Sequence, residues 1–164
     1  MSRKPDDARA TASRRGESEE EVLDRNANEL LQEMRVAETG VQLLFAFLLS
    51  LAFTQRFTVL STFGTTSYVV ALLSSALAAI CFIAPVPFHR TVFRHDRKPE
   101  FVAFASRALV VGLVWLQIGV VTSVLLVLDV VLGRWLAWLA AGVIAVVSVI
   151  GWWLVPLRYR RRSP

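Results

Sequence analysis

The chain has 164 residues, of which 55% are hydrophobic, with a net charge of +5 and a mean hydropathy of +0.53. A soluble domain of this length cannot bury so much apolar surface, so the composition excludes an ordinary soluble protein and indicates a membrane protein. The single cysteine, Cys81, excludes an intrachain disulfide, and the Cys and His residues lack the spacing of a zinc site.

The N-terminal residues 1–17 are polar, and they contain no apolar core of a signal peptide. We predict that they form a disordered tail. Ser18 and Glu21 then match a capping box, which predicts that a helix begins near Glu19. Residues 18–38 carry an apolar stripe at three- and four-residue steps, which predicts a cytoplasmic amphipathic helix. The stripe consists of Leu23, Ala27, Leu30, Met34 and Ala37.

This predicted helix is unusually acidic. Eight acidic residues lie between Glu17 and Glu38, against the two basic residues Arg25 and Arg35. Helices that lie on anionic lipid usually have a basic polar face. We therefore expect this helix to pack on protein, with Glu29 and Glu33 contacting basic segments of this chain or of another subunit.

Four apolar segments follow and predict a transmembrane domain over residues 39–157. The predicted spans are about 40–56, 68–86, 108–132 and 135–157, and a basic cytoplasmic tail occupies 158–164. A loop that contains Ser61, Gly64, Thr65, Thr66 and Ser67 is expected to separate the first two spans. The predicted fold is all-α, with the N-terminal amphipathic helix followed by a four-helix transmembrane bundle.

Each predicted span carries small residues at four-residue spacing. These are Ala46, Ser50 and Thr54; Ala71, Ser75 and Ala79; Gly119 and Ser123; and Ala137, Ala141 and Ala145. Small residues let helices approach closely within a membrane. The stripes fit contacts within one bundle and equally fit contacts in a homo-oligomer.

The basic residues predict the orientation. With the N-terminus in the cytoplasm, 16 of the 18 Lys and Arg residues lie on the cytoplasmic side, and only Arg56 and Arg134 lie outside. Both termini are therefore expected to be cytoplasmic. These charges lie at the edges of apolar segments and accompany no nucleic-acid-binding motif, so the lipid bilayer is the expected partner and nucleic acid is not.

The stretch LDRNANELLQEMRVAETGVQLLFAFLLSLAFTQRF, residues 23–57, together with APVPFHRTVFR, residues 84–94, resembles a known family. The chain is similar to uncharacterised small integral membrane proteins of bacteria, mostly actinobacteria, with four predicted spans. The resemblance covers about Leu23 to Leu157. It implies a multi-pass protein of the bacterial plasma membrane. Some members carry the automatic name sodium:proton antiporter, but the resemblance brings no catalytic or binding residues with it.

Asp129 is the only acidic residue inside a predicted span. An ionisable group at membrane depth indicates a proton or cation relay. However, Asp129 lies near the outer end of its span and close to Arg134, so an ion pair is the structural alternative. Arg35 and Glu38 lie where the first span begins. They fit the mouth of an ion path, or a packing role in which Glu38 pairs with Arg107 or Arg90.

His89 and Arg90 lie in the basic loop after the second span and are candidates for a cytoplasmic contact or for pH sensing. An interfacial histidine without a special role is the alternative. No cluster of ligands accompanies the two histidines, so no metal site is expected. Within the spans, Gln117, Thr122 and Ser148 are expected to hydrogen-bond a neighbouring helix or their own backbone.

The sequence contains none of the motifs that signal enzymatic catalysis, such as GxSxG, HExxH or a P-loop. We therefore expect no catalytic residues and no cofactor. The sequence favours a non-enzymatic membrane protein that acts by assembly, through self-association or by binding another membrane protein. The alternative is a small ion or proton-coupled transporter with Asp129, Glu38 and Arg35 as relay groups.

Overall fold

The computed structural model describes Gly16 and residues 18–87 and 98–162, and it contains helices and no strand in these ranges. Helix α1 spans Glu19–Leu51, a 3₁₀ helix spans Gln55–Val59, and α2 spans Thr62–Ile83. Helix α3 spans Lys98–Leu132 and α4 spans Arg134–Val149. A π-helical turn, Ile150–Leu154, leads into α5, Val155–Arg162. The prediction of an all-α fold is confirmed.

The predicted capping box begins α1. The backbone N–H of Ser18 donates to Oε2 of Glu21 at 2.8 Å, and the backbone N–H of Glu21 donates to Oγ of Ser18 at 3.2 Å. These contacts satisfy donors that a helix N-terminus otherwise leaves without partners.

Helix α1 runs without a break from the polar segment into the apolar one. The predicted stripe is only partly confirmed, because Met34 is buried while Leu23, Ala27, Leu30 and Ala37 are half-buried. The most buried positions are Val22, Asn26, Met34 and Val41. Asn26 is 7% exposed and has a partner within the chain, so a polar residue lies in the stripe where only apolar ones were expected.

The connection after α1 differs from its prediction. Helix α1 ends at Leu51, before the predicted end of the first span, and the hydroxyls of Ser50 and Thr54 donate to the carbonyls of Phe47 and Leu51. Such local bonds compete with helical hydrogen bonds.

Helix α2 begins at Thr62 and therefore includes Gly64 to Ser67, so the prediction of a loop there is wrong. Ser61 caps this helix, since its Oγ accepts the N–H of Gly64 at 3.2 Å.

Helix α3 also begins before the predicted span. It starts at Lys98, and Pro99 follows in its first turn, where the missing N–H of proline costs no helical hydrogen bond. Phe101, Val102 and Ala105 are buried, so packing stabilises the additional turns. At the other end of α3, Gly133 has a φ of 87°, which glycine adopts without strain and which turns the chain directly into α4.

The fourth apolar helix changes its hydrogen-bond pattern near its C-terminal end. The N–H of Val155 donates to the carbonyl of Ile150, five residues earlier, as in a π-helix. Pro156 follows immediately and has no N–H to offer to the preceding turn. The chain is helical as far as Arg162, so most of the predicted basic tail continues the helix.

The chain divides into two compact units. The first comprises Met1–Leu43 and Ala76–Trp115, and the second comprises Leu44–Ser75 and Leu116–Pro164. In the first unit, Phe82 packs against Gly112, where any Cβ would collide with the phenyl ring. This contact joins α2 to α3.

The second unit contains segments of all four apolar helices, which form a bundle. Leu48, Tyr68, Ala71 and Leu126 make one buried cluster, which joins α1, α2 and α3. A second cluster consists of Leu125, Ala137 and Ala141, and Phe63 packs against it. The Tyr68 hydroxyl donates to the carbonyl of Leu48 at 3.1 Å, which ties α2 to α1.

The small-residue stripes have different environments. Ala71, Ser75 and Gly119 are buried, and a Cβ on Gly119 would lie 3.0 Å from Oγ of Ser75, so α2 and α3 approach closely at this point. Ala137 and Ala141 are also buried. The stripe on α1 is different, because Ala46 and Ser50 are exposed and make no close contact between helices.

Candidate functional site

An ion pair lies where α3 turns into α4. Nε of Arg134 donates to Oδ1 of Asp129 at 2.7 Å, and Nη2 of Arg134 donates to Oδ2 at 3.4 Å. The side chain of Asp129 is 10% exposed, whereas that of Arg134 is 51% exposed. The guanidinium carbon of Arg134 lies 3.8 Å from the centre of the Phe63 ring. The pairing expected between Asp129 and Arg134 is therefore formed, and the cation is also held over an aromatic ring.

This pair lines a pocket of about 360 Å³, here called the Asp129 pocket. The other residues that line it are Val59, Leu60, Ser61 and Val130. Arg134 engages both oxygens of the Asp129 carboxylate with hydrogen bonds, so the carboxylate already has a partner within the chain. A proton relay would require this carboxylate to leave Arg134.

A polar network lies inside the second unit, between α3 and the fourth apolar helix. Nε1 of Trp153 donates to Oε1 of Gln117 at 3.0 Å, and Nε2 of Gln117 donates to Oγ of Ser148 at 3.3 Å. The hydroxyl of Ser148 donates to the carbonyl of Ile144 at 2.6 Å. Thr122 donates to the carbonyl of Ile118 at 2.7 Å. The expected hydrogen bonds of Gln117, Thr122 and Ser148 are thus formed.

Arg35 and Glu38 lie on α1 in the first unit. Nε2 of Gln42 donates to Oε1 of Glu38 at 2.9 Å, and Arg35 is exposed. Among the described residues, no ion pair joins Glu38 to Arg107, so the predicted pairing of these two residues is not formed. The alternative partner, Arg90, lies outside the described residues, as does His89.

Glu29 and Glu33 are exposed on α1, and neither contacts a cation in the described part of the chain. The same face of α1 continues through Val36, Gly40 and Leu43, because the steps between these five positions alternate between four and three residues. Val36 is 72% exposed and Leu43 is 71% exposed. We call these five residues the exposed α1 face.

Within residues 18–87 and 98–162, no three His, Cys, Asp or Glu side chains come together in a way that could hold a metal ion. Buried side-chain nitrogen and oxygen atoms in these ranges all have hydrogen-bond partners. The buried polar side chains of the described residues are therefore satisfied within the chain.

No motif in the sequence marks Phe63, Ser61 or Trp153 as a site residue. Ser61 belongs to the loop that the sequence predicts, and Phe63 lies between residues of that loop; in the structure Ser61 caps α2 instead. No local pattern links Trp153 to Gln117, 36 residues away. These contacts follow from the packing of helices that are distant in sequence.

Four helices of the chain are long and apolar enough to cross a membrane: Glu20–Leu51, Thr62–Pro87, Pro99–Leu132 and Arg134–Arg158. The fold therefore defines a multi-pass α-helical membrane protein. The chain belongs to the family of unknown function DUF6328, whose model matches residues 16–156. No curated protein and no solved structure matches the chain.

Proposed function

We propose that this protein is a non-enzymatic component of the bacterial plasma membrane that acts by assembly. The exposed α1 face is the surface through which it associates with a second copy or with another membrane protein. The observation that carries the proposal is the composition of this face. Two acidic residues that contact no cation among residues 18–87 and 98–162 are followed by Val36, Gly40 and Leu43.

The spacing and the residue types of this face support helix packing. Alternating four- and three-residue steps form the seam along which two helices pack together. Gly40 has no atom within 4 Å of its Cβ position, so a partner helix can approach its backbone closely. Val36 and Leu43 flank Gly40 and supply apolar contact area.

The acidic end of the face determines what the partner must offer. Two copies that placed Glu29 and Glu33 side by side would repel each other. A basic segment opposite these glutamates removes the repulsion. With both termini in the cytoplasm, as we propose, this chain itself offers such segments in the middle loop and at the C-terminus, and another membrane protein could offer an equivalent one.

The first test is the size of the purified protein in mild detergent. The double variant Glu29→Lys/Glu33→Lys should shift the assembly towards a single chain, because it places like charges opposite the basic segment. Asn28→Lys adds a positive charge at an exposed position of α1 outside the exposed α1 face and serves as the control. An unchanged size for the double variant would contradict the proposal.

The alternative is a small ion or proton-coupled transporter, and the same purified protein distinguishes it in liposomes. The bonds of Asp129 to Arg134 and of Glu38 to Gln42 engage the proposed relay groups and so favour assembly. Flux above that of empty liposomes that is lost in Asp129→Asn would instead support transport. Absence of flux from inserted, folded protein would leave the assembly function as the better account.

A further inference from the structure

The second unit contains a second cavity next to the Asp129 pocket. It is an open groove of about 520 Å³ between α1, the 3₁₀ helix and α3, and we call it the α1–α3 groove. The residues that line it are all apolar: Phe47, Leu51, Phe57, Leu60, Leu126, Val127, Val130 and Val131. Leu60 and Val130 also line the Asp129 pocket, so the two cavities adjoin. Together they form one site with a charged end and a long apolar end.

The charged end retains hydrogen-bond donors that no described residue accepts from. Asp129 accepts from Nε and Nη2 of Arg134, which leaves Nη1 and the second hydrogen of Nη2 available on a guanidinium that is half exposed. Ser61 accepts the N–H of Gly64 through its Oγ, so its own hydroxyl hydrogen is still free to donate. A guanidinium fork with a neighbouring hydroxyl matches the oxygens of a phosphodiester.

The apolar end is open along the surface of the bundle. Phe47 is 58% exposed and Val131 is 68% exposed, so both present apolar surface to any chain that lies in the groove. The volume of the groove falls within the usual range of small-molecule sites in proteins, about 300–1,000 Å³. An acyl chain in the groove would cover these side chains.

We propose that this site binds one phospholipid, with its phosphodiester at Arg134 and Ser61 and one acyl chain in the α1–α3 groove. The charge at the site favours a zwitterionic headgroup. Asp129 offsets the charge of Arg134, so a headgroup with one phosphate and one ammonium matches the pair better than a purely anionic one. This inference is independent of the assembly surface, because it uses none of the residues of the exposed α1 face.

The test is native mass spectrometry of the full-length protein in detergent, titrated with phosphatidylethanolamine. The wild type should take up one phospholipid saturably. Val130→Phe fills the junction of the two cavities, and Asp129→Asn/Arg134→Gln removes the ion pair without changing the net charge. Each should weaken binding about tenfold, as expected for the loss of hydrogen bonds to a charged group or of the space for the chain.

Three further measurements make the result decisive. Arg107→Gln, an exposed arginine of the first unit, should bind lipid as the wild type does. Arg134→Lys keeps a cation beside Asp129 but loses the fork, so it should fold and still bind more weakly. Inorganic phosphate at millimolar concentration should not displace the lipid. Equal binding by wild type, Val130→Phe and the double variant, or displacement by inorganic phosphate alone, would overturn the proposal.

Discussion

Asp129 shows how a carboxylate is accommodated at the end of a membrane-spanning helix. A charge that is nine-tenths buried is costly unless a partner and further hydrogen bonds compensate it. The turn at Gly133 brings Arg134 back over the last turn of α3, where it contacts both oxygens of the carboxylate. Phe63 lies beneath the guanidinium and holds it in place. These contacts explain why an aspartate is tolerated at the end of this helix, and a transport role is not needed to account for it.

Trp153 provides a residue-scale prediction. Trp153→Phe removes the donor to Gln117 and leaves Oε1 of Gln117 without its partner. Hydrogen bonds between membrane helices are worth roughly 0.6 kcal/mol on average, and an unsatisfied acceptor adds to this, so we expect a loss of about 1 kcal/mol in unfolding free energy. Reversible unfolding in mixed micelles measures this loss.

The neighbouring Trp152 is the matched control for that experiment, because it is 43% exposed and Trp152→Phe should leave the unfolding free energy nearly unchanged. In a Gln117→Leu background, Trp153→Phe should have little further effect, since the bond is already lost. A full effect of Trp153→Phe in that background would show that the tryptophan acts through packing rather than through Gln117.

At the residue scale, the sequence predicts contacts between residues that are close along the chain. Asp129 and Arg134 are five residues apart across a glycine turn, so their pairing could be predicted from local geometry. The same holds for Ser18 and Glu21. The bond between Trp153 and Gln117 could not be predicted, because it depends on how two helices are rotated against each other.

At the scale of the element, α1 combines two kinds of surface on one continuous helix. Its buried side includes Val22, Met34 and Val41, while its exposed face carries Glu29 and Glu33 at one end and Leu43 at the other. The amphipathic and apolar segments were predicted as separate regions because their compositions differ sharply. Composition does not determine where a helix ends. No proline separates the two segments, and the helix continues through Gly40.

The helix boundaries show what local sequence signals do and do not determine. The polar residues Ser61 to Ser67 resemble a loop, yet Ser61 caps α2 and the hydroxyl of Thr66 donates to the carbonyl of Thr62 inside the helix. Burial of Phe101 and Ala105 extends α3 beyond its most apolar segment. A local cap therefore overrides composition at the start of α2, and tertiary packing does so at the start of α3.

At the scale of the whole molecule, four membrane-spanning helices and membership of DUF6328 define the class, and we propose that both termini are cytoplasmic. The proposal is checked with single cysteines in a Cys81→Ser background. In intact cells, an impermeant maleimide should label Thr58→Cys, between α1 and α2, but should label Gly16→Cys only after the membrane is permeabilised. The reverse pattern would invert the topology.

The fold class and the number of spans could be predicted because long apolar segments have few alternatives in a membrane. The function and the roles of individual residues could not be predicted in the same detail. The residues of the candidate sites are ordinary in type, and their roles depend on which faces of the helices remain exposed after packing.

The central claim, that the exposed α1 face binds protein, is tested most directly by photocrosslinking in native membranes. A benzophenone amino acid is placed at Val36 or at Leu43, and at Val111, an exposed position of α3 in the same unit, as the control. Val36 and Leu43 should give a discrete protein adduct that disappears in the Glu29→Lys/Glu33→Lys background, while Val111 should crosslink to lipid alone. Lipid adducts alone at all three positions would contradict the account.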